Sequence, residues 1–184
     1  MATSTPIYQI KITLQGSKPP IWRRVLVRSD ATLGEMHHII QTVMGWLDYH
    51  LHQFIIGRTY YGVLEPGYPD LDIQDENKVK LNQIGGKGTK FVYEYDFGDS
   101  WEHILAVEKV LPLEPGQHYP ICIKGKRACP PEDVGGVWGY ETFLEAISDP
   151  NHPEHEMYSE WIGDEFDPEE FDLDYINGAL NDLR

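Results

Sequence analysis

The chain of 184 residues contains little of what marks several special classes of protein. It has two cysteines, Cys122 and Cys129, which are too few for the disulfide framework of a small secreted protein. No run approaches the roughly eighteen apolar residues of a membrane helix, and the first residues lack the basic start and apolar block of a signal peptide. We therefore predict a cytoplasmic protein with no membrane partner, in which the cysteines are thiols in preference to a disulfide.

Positive charge is also scarce, because the formal net charge is -15. Residues 140–184 hold 14 Asp and Glu but only one basic residue, Arg184, whereas residues 1–139 hold 16 acidic and 14 basic residues. A chain with this balance repels phosphate backbones, so we expect no direct binding to DNA. The acidic end is expected to be a solvated helical surface, with mimicry of nucleic acid as the alternative.

Apolar periodicity predicts an α+β fold. Residues 8–14 and 22–28 have the pattern of two paired antiparallel strands. Asp30 or Thr32 can cap the helix that follows, with Glu35 three residues after Thr32, and Gly45 is expected to end it. Further strands are predicted within residues 52–62, 89–95 and 101–111, while residues 63–88 resemble a loop with one short element. This order favours a β-grasp-like mixed sheet packed on one main helix. An open ferredoxin-like sheet is the alternative, but it requires a second crossover helix.

We predict a β-grasp-like body at residues 1–111, followed at residues 112–184 by an extension of the same compact domain. The extension begins as a loop rich in proline and glycine, which also contains both cysteines. Three acidic helices are then predicted at residues 140–148, 152–163 and 167–183, and Asp167 with Pro168 is expected to begin the last of them. Their apolar faces predict that they dock on the body.

Several long segments, taken in order, carry a resemblance to a known family. They are PPIWRR at 19–24, MGWLDYHLHQF at 44–54, YEYDFGDSWEH at 93–103, the segment 122–155, and FDPEEFD at 166–172. Together they resemble the Ri-plasmid ORF-3-like family, some members of which are labelled insertion-element passenger or TnpR-like proteins. The resemblance implies an association with mobile elements and no particular reaction.

The TnpR label suggests a resolvase, and the sequence disagrees with it. A serine recombinase needs a nucleophilic serine beside several arginines, together with a basic helix-turn-helix for DNA. Here the C-terminal part is strongly acidic, and the only arginine pair is Arg23 with Arg24.

The segment YDFGDSWEH at 95–103 is the first candidate site. Its acidic residues and glycine are typical of a hairpin turn, and Trp101 and His103 fall on one face of the following strand. The alternative is functional: Asp96, Asp99 and His103 would meet His50 or His52 at one end of the sheet as a metal or acid/base cluster.

A second candidate is an aromatic and guanidinium groove for an anionic or extended ligand. Its residues would be Trp22, Arg23, Arg24, Trp46, Trp138 and Tyr140. The simpler interpretation is that Trp22 packs in the core and the arginines pair with the acidic extension. No cofactor is predicted, although His118, Cys122 and Cys129, with Glu132 or Asp133 nearby, offer an alternative zinc site.

These patterns favour a binding or adaptor module over an enzyme, because no nucleophile can be paired with a base from the sequence. The expected partner is a protein or a small ligand. The alternative is a metal-dependent hydrolase that uses the Asp and His cluster at the end of the sheet.

Overall fold

The computed structural model describes residues 5–64, 72–163 and 166–183. The strands are β1 (Ile7–Leu14), β2 (Trp22–Arg28), β3 (His52–Ile56), β4 (Thr59–Gly62), β5 (Ile73–Asp75), β6 (Lys90–Tyr95), β7 (Trp101–Leu111) and β8 (Ile121–Lys126). The helices are α1 (Leu33–Met44), α2 (Leu81–Ile84), α3 (Gly136–Ser148), α4 (His155–Ile162) and α5 (Leu173–Asn181), with one 3-10 turn at Glu76–Lys78. Within these residues no helix has the length and apolar character needed to cross a membrane.

All eight strands belong to one mixed sheet, in the order β5-β4-β3-β6-β7-β1-β2-β8. Neighbouring strands are antiparallel except β4 and β5, which are parallel. The predicted α+β class, with a mixed sheet, one main helix and a docked helical extension, is confirmed. The predicted β1–β2 pair is confirmed as well, with Ile10 opposite Val25.

Helix α1 provides the main layer on one face of the sheet. It begins at the predicted capping box, in which Thr32 accepts the Glu35 N–H at 3.1 Å and Glu35 accepts the Thr32 N–H at 2.7 Å. It ends at Gly45, whose φ of 99° is left-handed. Its buried apolar side chains pack against alternate strand residues, which include Ile10, Ile12, Val25, Phe54, Phe91, Tyr93, Trp101 and Leu105.

The structure differs from the sequence-based expectation at two strands. Strand β8 lies in the segment expected to be a loop, because it is an edge strand of six residues that contains Gly125 and shows no clean alternation. Strand β5 has only three residues, too few for a periodic pattern. Part of the loop expected at residues 63–88 lies outside the described residues.

The last helix also begins later than predicted. Asp172 caps α5 by accepting the Tyr175 N–H at 2.9 Å. Asp167, the expected cap, instead accepts the Glu169 N–H at 2.9 Å within a separate turn. Proline after Asp167 favoured a helix start there, but aspartate followed by proline is equally typical of a β-turn, which is what residues 167–170 form, with the Glu170 N–H donating to the Asp167 carbonyl at 3.1 Å.

Helix α5 joins the extension to the sheet. Its Ile176 and Leu180 are buried in the core. The side chain of Asn177 accepts the Cys122 N–H at 2.8 Å and donates to the Cys122 carbonyl at 2.9 Å. Asn177 thus satisfies backbone groups of β8 where no further strand pairs with it.

Candidate metal centre

Three segments of the chain meet at one end of the sheet. They are the loop 46–51 before β3, the turn 96–100 between β6 and β7, and the segment 130–136 before α3. We call them the three site segments.

Hydrogen bonds join these segments to one another. The Leu47 N–H donates to the Glu132 carboxylate at 2.9 Å, which connects the first segment with the third. The Gly135 N–H donates to the Asp99 carboxylate at 3.0 Å, which connects the third with the second. The three site segments therefore form one continuous surface, although they are far apart in the chain.

The imidazole of His50 is surrounded by carboxylates from the other two segments. Its Nε2 lies 3.0 Å from Asp133 Oδ1, 3.6 Å from Asp96 Oδ2 and 3.8 Å from Glu132 Oε2. This nitrogen is buried, yet none of these oxygens is aligned with it as a hydrogen-bond partner. Ligands about 2.0 to 2.3 Å from one ion are separated from one another by about 3 to 4 Å. The ligand atoms of His50, Asp96 and Asp133 all lie within 4.8 Å of one another, as they would around a common cation, and the Glu132 carboxylate lies beside them.

The two aspartates in this cluster have unusual backbone conformations. Asp96 has a φ of 56° and Asp133 a φ of 58°, in the left-handed region that aspartate tolerates better than most residues. Asp96 is largely buried, and its Oδ1 accepts the Gly98 N–H at 2.9 Å. That bond leaves Oδ2, the oxygen nearest His50, available for another group.

Tyr95 is hydrogen-bonded both to the loop that carries His50 and to Glu132, so it positions these two sides of the cluster. Its hydroxyl oxygen accepts the N–H groups of Tyr49 at 3.0 Å and His50 at 3.3 Å, while its O–H donates to Glu132 at 3.2 Å. Burial, followed by the charge of Glu132, raises the pKa of Tyr95 above its usual value. Tyr95 therefore remains a hydrogen-bond donor that orients Glu132.

A second cluster lies beside the first and is built differently. His37 Nε2 is 3.0 Å from Asp48 Oδ1, and His52 Nε2 is 2.8 Å from Glu76 Oε2, both as aligned hydrogen bonds. The two imidazole rings stack with their centroids 3.5 Å apart and their planes 8° from parallel. Ring nitrogen lone pairs lie in the ring plane, so two nearly parallel rings do not point at one ion. In this second cluster, hydrogen bonds join the imidazoles to the carboxylates.

The tautomer of His37 follows from its neighbours. Gln41 Nε2 donates to the Tyr93 hydroxyl at 2.9 Å, and that hydroxyl lies 2.8 Å from His37 Nδ1. If Tyr93 donates its own proton to Nδ1, then Nε2 carries the hydrogen that is donated to Asp48. Burial, followed by the proximity of His52, lowers the pKa of His37 to about 4, so the ring is neutral at pH 7.

A cavity of about 270 Å³ lies between the two clusters. Its lining comprises Gly34, His37, His38, Asp48, His50, Leu51, His52, Val63, Glu76 and Asn77. His50 is the member of the first cluster that lines this cavity, whereas His37, Asp48, His52 and Glu76 of the second cluster all line it.

The structure brings together only part of the Asp and His cluster expected from the sequence. His50 and Asp96 meet, whereas Asp99 uses its carboxylate to accept the Gly135 N–H. His52 belongs to the second cluster. His103 lies fully buried in the core, where burial lowers its pKa to about 4.

Trp101, another residue of the first candidate site, is fully buried as well. Its placement follows the strand alternation that the sequence showed. The residue is therefore part of the core layer beneath the site.

The residues of the expected aromatic groove lie in different places. Arg23 points into the core and donates to the Val43 carbonyl at 2.7 Å. Arg24 lies on the opposite face of β2, where it pairs with Glu108 at 2.7 Å and stacks on Trp22. The acidic extension therefore does not supply the carboxylate that pairs with Arg24, and Trp22 is only half-buried.

The other aromatic residues of that groove are also separated. Trp46 is buried and donates to the Pro130 carbonyl at 3.0 Å. Tyr140 is buried, whereas Trp138 is exposed over 82% of its surface. Of these three, only Trp138 is available on the surface.

Two groups of potential metal ligands have atoms within 4.8 Å of one another in the described part of the chain. One is His37, Asp48 and His52, and the other is His50, Asp96 and Asp133. Neither group includes His118, Cys122 or Cys129, the residues of the alternative zinc site. Burial raises the pKa of both thiols, which keeps them protonated.

Sequence reasoning did not assign Glu76, Glu132 or Asp133 to the site at the end of the sheet. Glu132 and Asp133 were noted only as neighbours of the zinc alternative, and Glu76 lies in the segment expected to be a loop. One signal was available for Asp133, because an aspartate followed closely by two glycines, Gly135 and Gly136, is typical of a tight turn.

Comparisons with known proteins found a family model, a relative and a solved structure that are similar to this chain. The family model for plasmid pRiA4b ORF-3-like proteins matches residues 6–175. The uncharacterized protein y4hQ of Sinorhizobium fredii is 35% identical over 179 residues, which cover 96% of this chain and 92% of that protein. The crystal structure of MM3350 from Methanosarcina mazei Go1, a protein of unknown function, is similar with a TM-score of 0.83 and 40% identity over 94% of this chain and 98% of that one. The chain therefore belongs to the plasmid pRiA4b ORF-3-like family, as its sequence motifs indicated.

Proposed function

We propose that the protein is a binding module that holds one divalent cation among His50, Asp96, Glu132 and Asp133. The observation that carries this proposal is the buried Nε2 of His50, which faces three carboxylates and is aligned with none of them. A buried polar atom without a partner costs free energy, and close carboxylates repel one another. A cation at their centre offsets both effects.

The donor set favours particular ions. One imidazole and three carboxylates suit Mn²⁺ or Zn²⁺, since imidazole is a poor ligand for Mg²⁺ and Ca²⁺. His50, Asp96, Glu132 and Asp133 would hold the ion, and Tyr95 would keep Glu132 oriented towards it.

The ion would also have a structural role, because its ligands come from all three site segments. Binding would fix the relative positions of these segments and so form a rigid surface for a partner. This is the basis for proposing an adaptor. An association with plasmids or insertion elements belongs to the same proposal, and the description of the family supports it.

Metal affinity tests the proposal directly. The protein is stripped with a chelator and titrated calorimetrically with Mn²⁺ and Zn²⁺, and we expect one equivalent bound per chain. His50→Ala should weaken binding at least about tenfold, as loss of one ligand predicts. His118→Ala, at an exposed histidine, is the matched control and should bind normally. Equal affinities in the two variants would reject the site.

A metal-dependent hydrolase is the second candidate. The observation that favours it is the cavity of about 270 Å³ beside His50, which has room for a small substrate next to the ion. A bound ion would supply Lewis acidity towards a carbonyl or phosphoryl oxygen. Hydrolysis of p-nitrophenyl acetate or p-nitrophenyl phosphate that requires the ion and disappears in His50→Ala would support an enzyme. If the metal-loaded protein hydrolyses neither substrate, the hydrolase is rejected and the proposal of a binding module remains.

A further inference from the structure

Large apolar side chains project to solvent around the proposed cation site. In the loop that carries His50, Leu47, Tyr49 and Leu51 are all exposed, and Tyr49 is 72% exposed. Phe97 is exposed directly after Asp96, and Trp138 is 82% exposed just after the third segment. Single exposed apolar residues are ordinary, but five beside one site are not.

These side chains belong to one surface because their segments are joined. The Asp96 N–H donates to the Leu51 carbonyl at 2.9 Å, and the Leu47 N–H donates to Glu132. Gly136 lies directly over the Asp99 carbonyl, which places the start of α3, and with it Trp138, beside the turn that carries Phe97. We call this the rim surface: Leu47, Tyr49, Leu51, Phe97 and Trp138 with the acidic residues among them.

The rim surface is strongly acidic. Residues 46–51, 95–101 and 130–140 contain five carboxylates and no lysine or arginine. The carboxylates belong to Asp48, Asp96, Asp99, Glu132 and Asp133. One divalent ion would offset only two of these charges, so the surface stays negative whether or not the ion is bound.

We propose that the rim surface binds a segment of a partner protein that combines apolar side chains with lysine or arginine. The apolar side chains of the partner would pack on Tyr49, Phe97 and Trp138, and its cations would face Asp48, whose side chain is 43% exposed and which is not a proposed metal ligand. A second copy of this chain is the wrong occupant, because each copy carries a charge of -15. The same repulsion disfavours anionic membranes and nucleic acids.

This inference deepens the adaptor role proposed above, since it names the chemistry of the partner. It does not depend on the ion, because the acidic and apolar groups are present in the chain itself. Metal binding and peptide binding are therefore measured separately, and either one can fail without the other.

Selection from a library of random 12-residue peptides displayed on phage tests the proposal. The full chain is the bait, with and without Mn²⁺. We expect the enriched peptides to carry net positive charge and at least two large apolar residues, and to bind more weakly as salt increases. Enrichment of neutral or acidic peptides, or no enrichment at all, would overturn the proposal.

Matched variants then locate the binding surface. Tyr49→Ser and Trp138→Ser should each weaken an enriched peptide at least about tenfold, as hot-spot aromatic residues do. Tyr60→Ser is the control, because Tyr60 is an exposed aromatic residue of β4 that pairs with Ile55, at the end of β3 opposite Leu51. Equal peptide affinities in the three variants would overturn the assignment. So would a stable dimer of the wild-type protein that the two rim variants dissociate.

Discussion

The imidazole rings of His37 and His52 lie face to face, with their centroids 3.5 Å apart and their planes 8° from parallel. Each ring is hydrogen-bonded to its own carboxylate, Asp48 in one case and Glu76 in the other. Two positive charges at this separation repel strongly in a buried place, so the stack resists the protonation of both rings. This explains part of the low pKa of His37.

Acid should destabilise the fold through His37 and His103. Burial lowers the pKa of each to about 4, from the ordinary value of about 6.5, and Arg23 contributes at His103. The unfolded chain therefore takes up these protons first as the pH falls. The free energy of unfolding is therefore unaffected by these histidines above about pH 6.5. It falls progressively towards about pH 4, by up to about 1.4 kcal/mol per pH unit for each histidine.

Urea unfolding at a series of pH values checks this prediction. His103→Leu should remove about half of the extra slope between pH 6.5 and 4, since only His37 then contributes. His118→Leu, at an exposed position, should keep the full slope. An unchanged slope in His103→Leu would contradict the burial argument.

Glu76→Gln should destabilise the protein. Glu76 is almost fully buried, and its carboxylate is hydrogen-bonded to His52 at 2.8 Å. The substitution preserves the shape but removes the charge, and the loss of a charge-assisted hydrogen bond should cost about 1 to 3 kcal/mol in the free energy of unfolding. Chemical denaturation measures it, with the exposed Glu114→Gln as control. A stability equal to that of the control would contradict the pairing.

Asn177→Ala should loosen the end of the sheet at β8. Asn177 makes two hydrogen bonds to the backbone of Cys122, at 2.8 and 2.9 Å. Removing them leaves both backbone groups without these partners, and we expect a loss of about 1 to 3 kcal/mol. Hydrogen exchange at the Cys122 amide should accelerate. The exposed Asn82→Ala is the control, and equal exchange rates in the two variants would argue against this role.

Gly136→Ala and Gly178→Ala should have opposite effects. At Gly136 the φ is 69° and a Cβ would lie 2.5 Å from the Asp99 carbonyl oxygen, so the backbone around Asp133 has to move. We expect lower stability, by more than about 1 kcal/mol, and weaker Mn²⁺ binding. At Gly178 a Cβ meets nothing within 4 Å, and alanine in α5 should stabilise by about 0.5 to 1 kcal/mol. Thermal unfolding measures the change of stability in both variants, and calorimetry measures the Mn²⁺ affinity of Gly136→Ala.

The sequence predicted well those elements whose local pattern agrees with their surroundings. The capping box of Thr32 and Glu35 and the alternation of Phe91, Tyr93 and Tyr95 are read from neighbouring residues, and both are present as expected. Strand β8 was not predicted because its stability comes from pairing with β2 and from α5. An edge strand of this kind has little signal of its own.

Only part of the candidate site was predictable, for a related reason. His50 and Asp96 were expected to meet because they end neighbouring strands, whereas Asp133 reaches them from a loop that no periodicity positions. The placement of His103 could have been predicted, since it alternates with Trp101 and Leu105 on a face that is wholly buried. A histidine on an apolar strand face is more often in the core than in a site.

A crystal structure of the protein grown with Mn²⁺, with an anomalous difference map, is the most direct test of the central claim. The account predicts one strong peak within about 2.3 Å of His50 Nε2 and of oxygens from Asp96, Glu132 and Asp133. A peak between His37 and His52, or a fully loaded crystal with no peak beside His50, would contradict it.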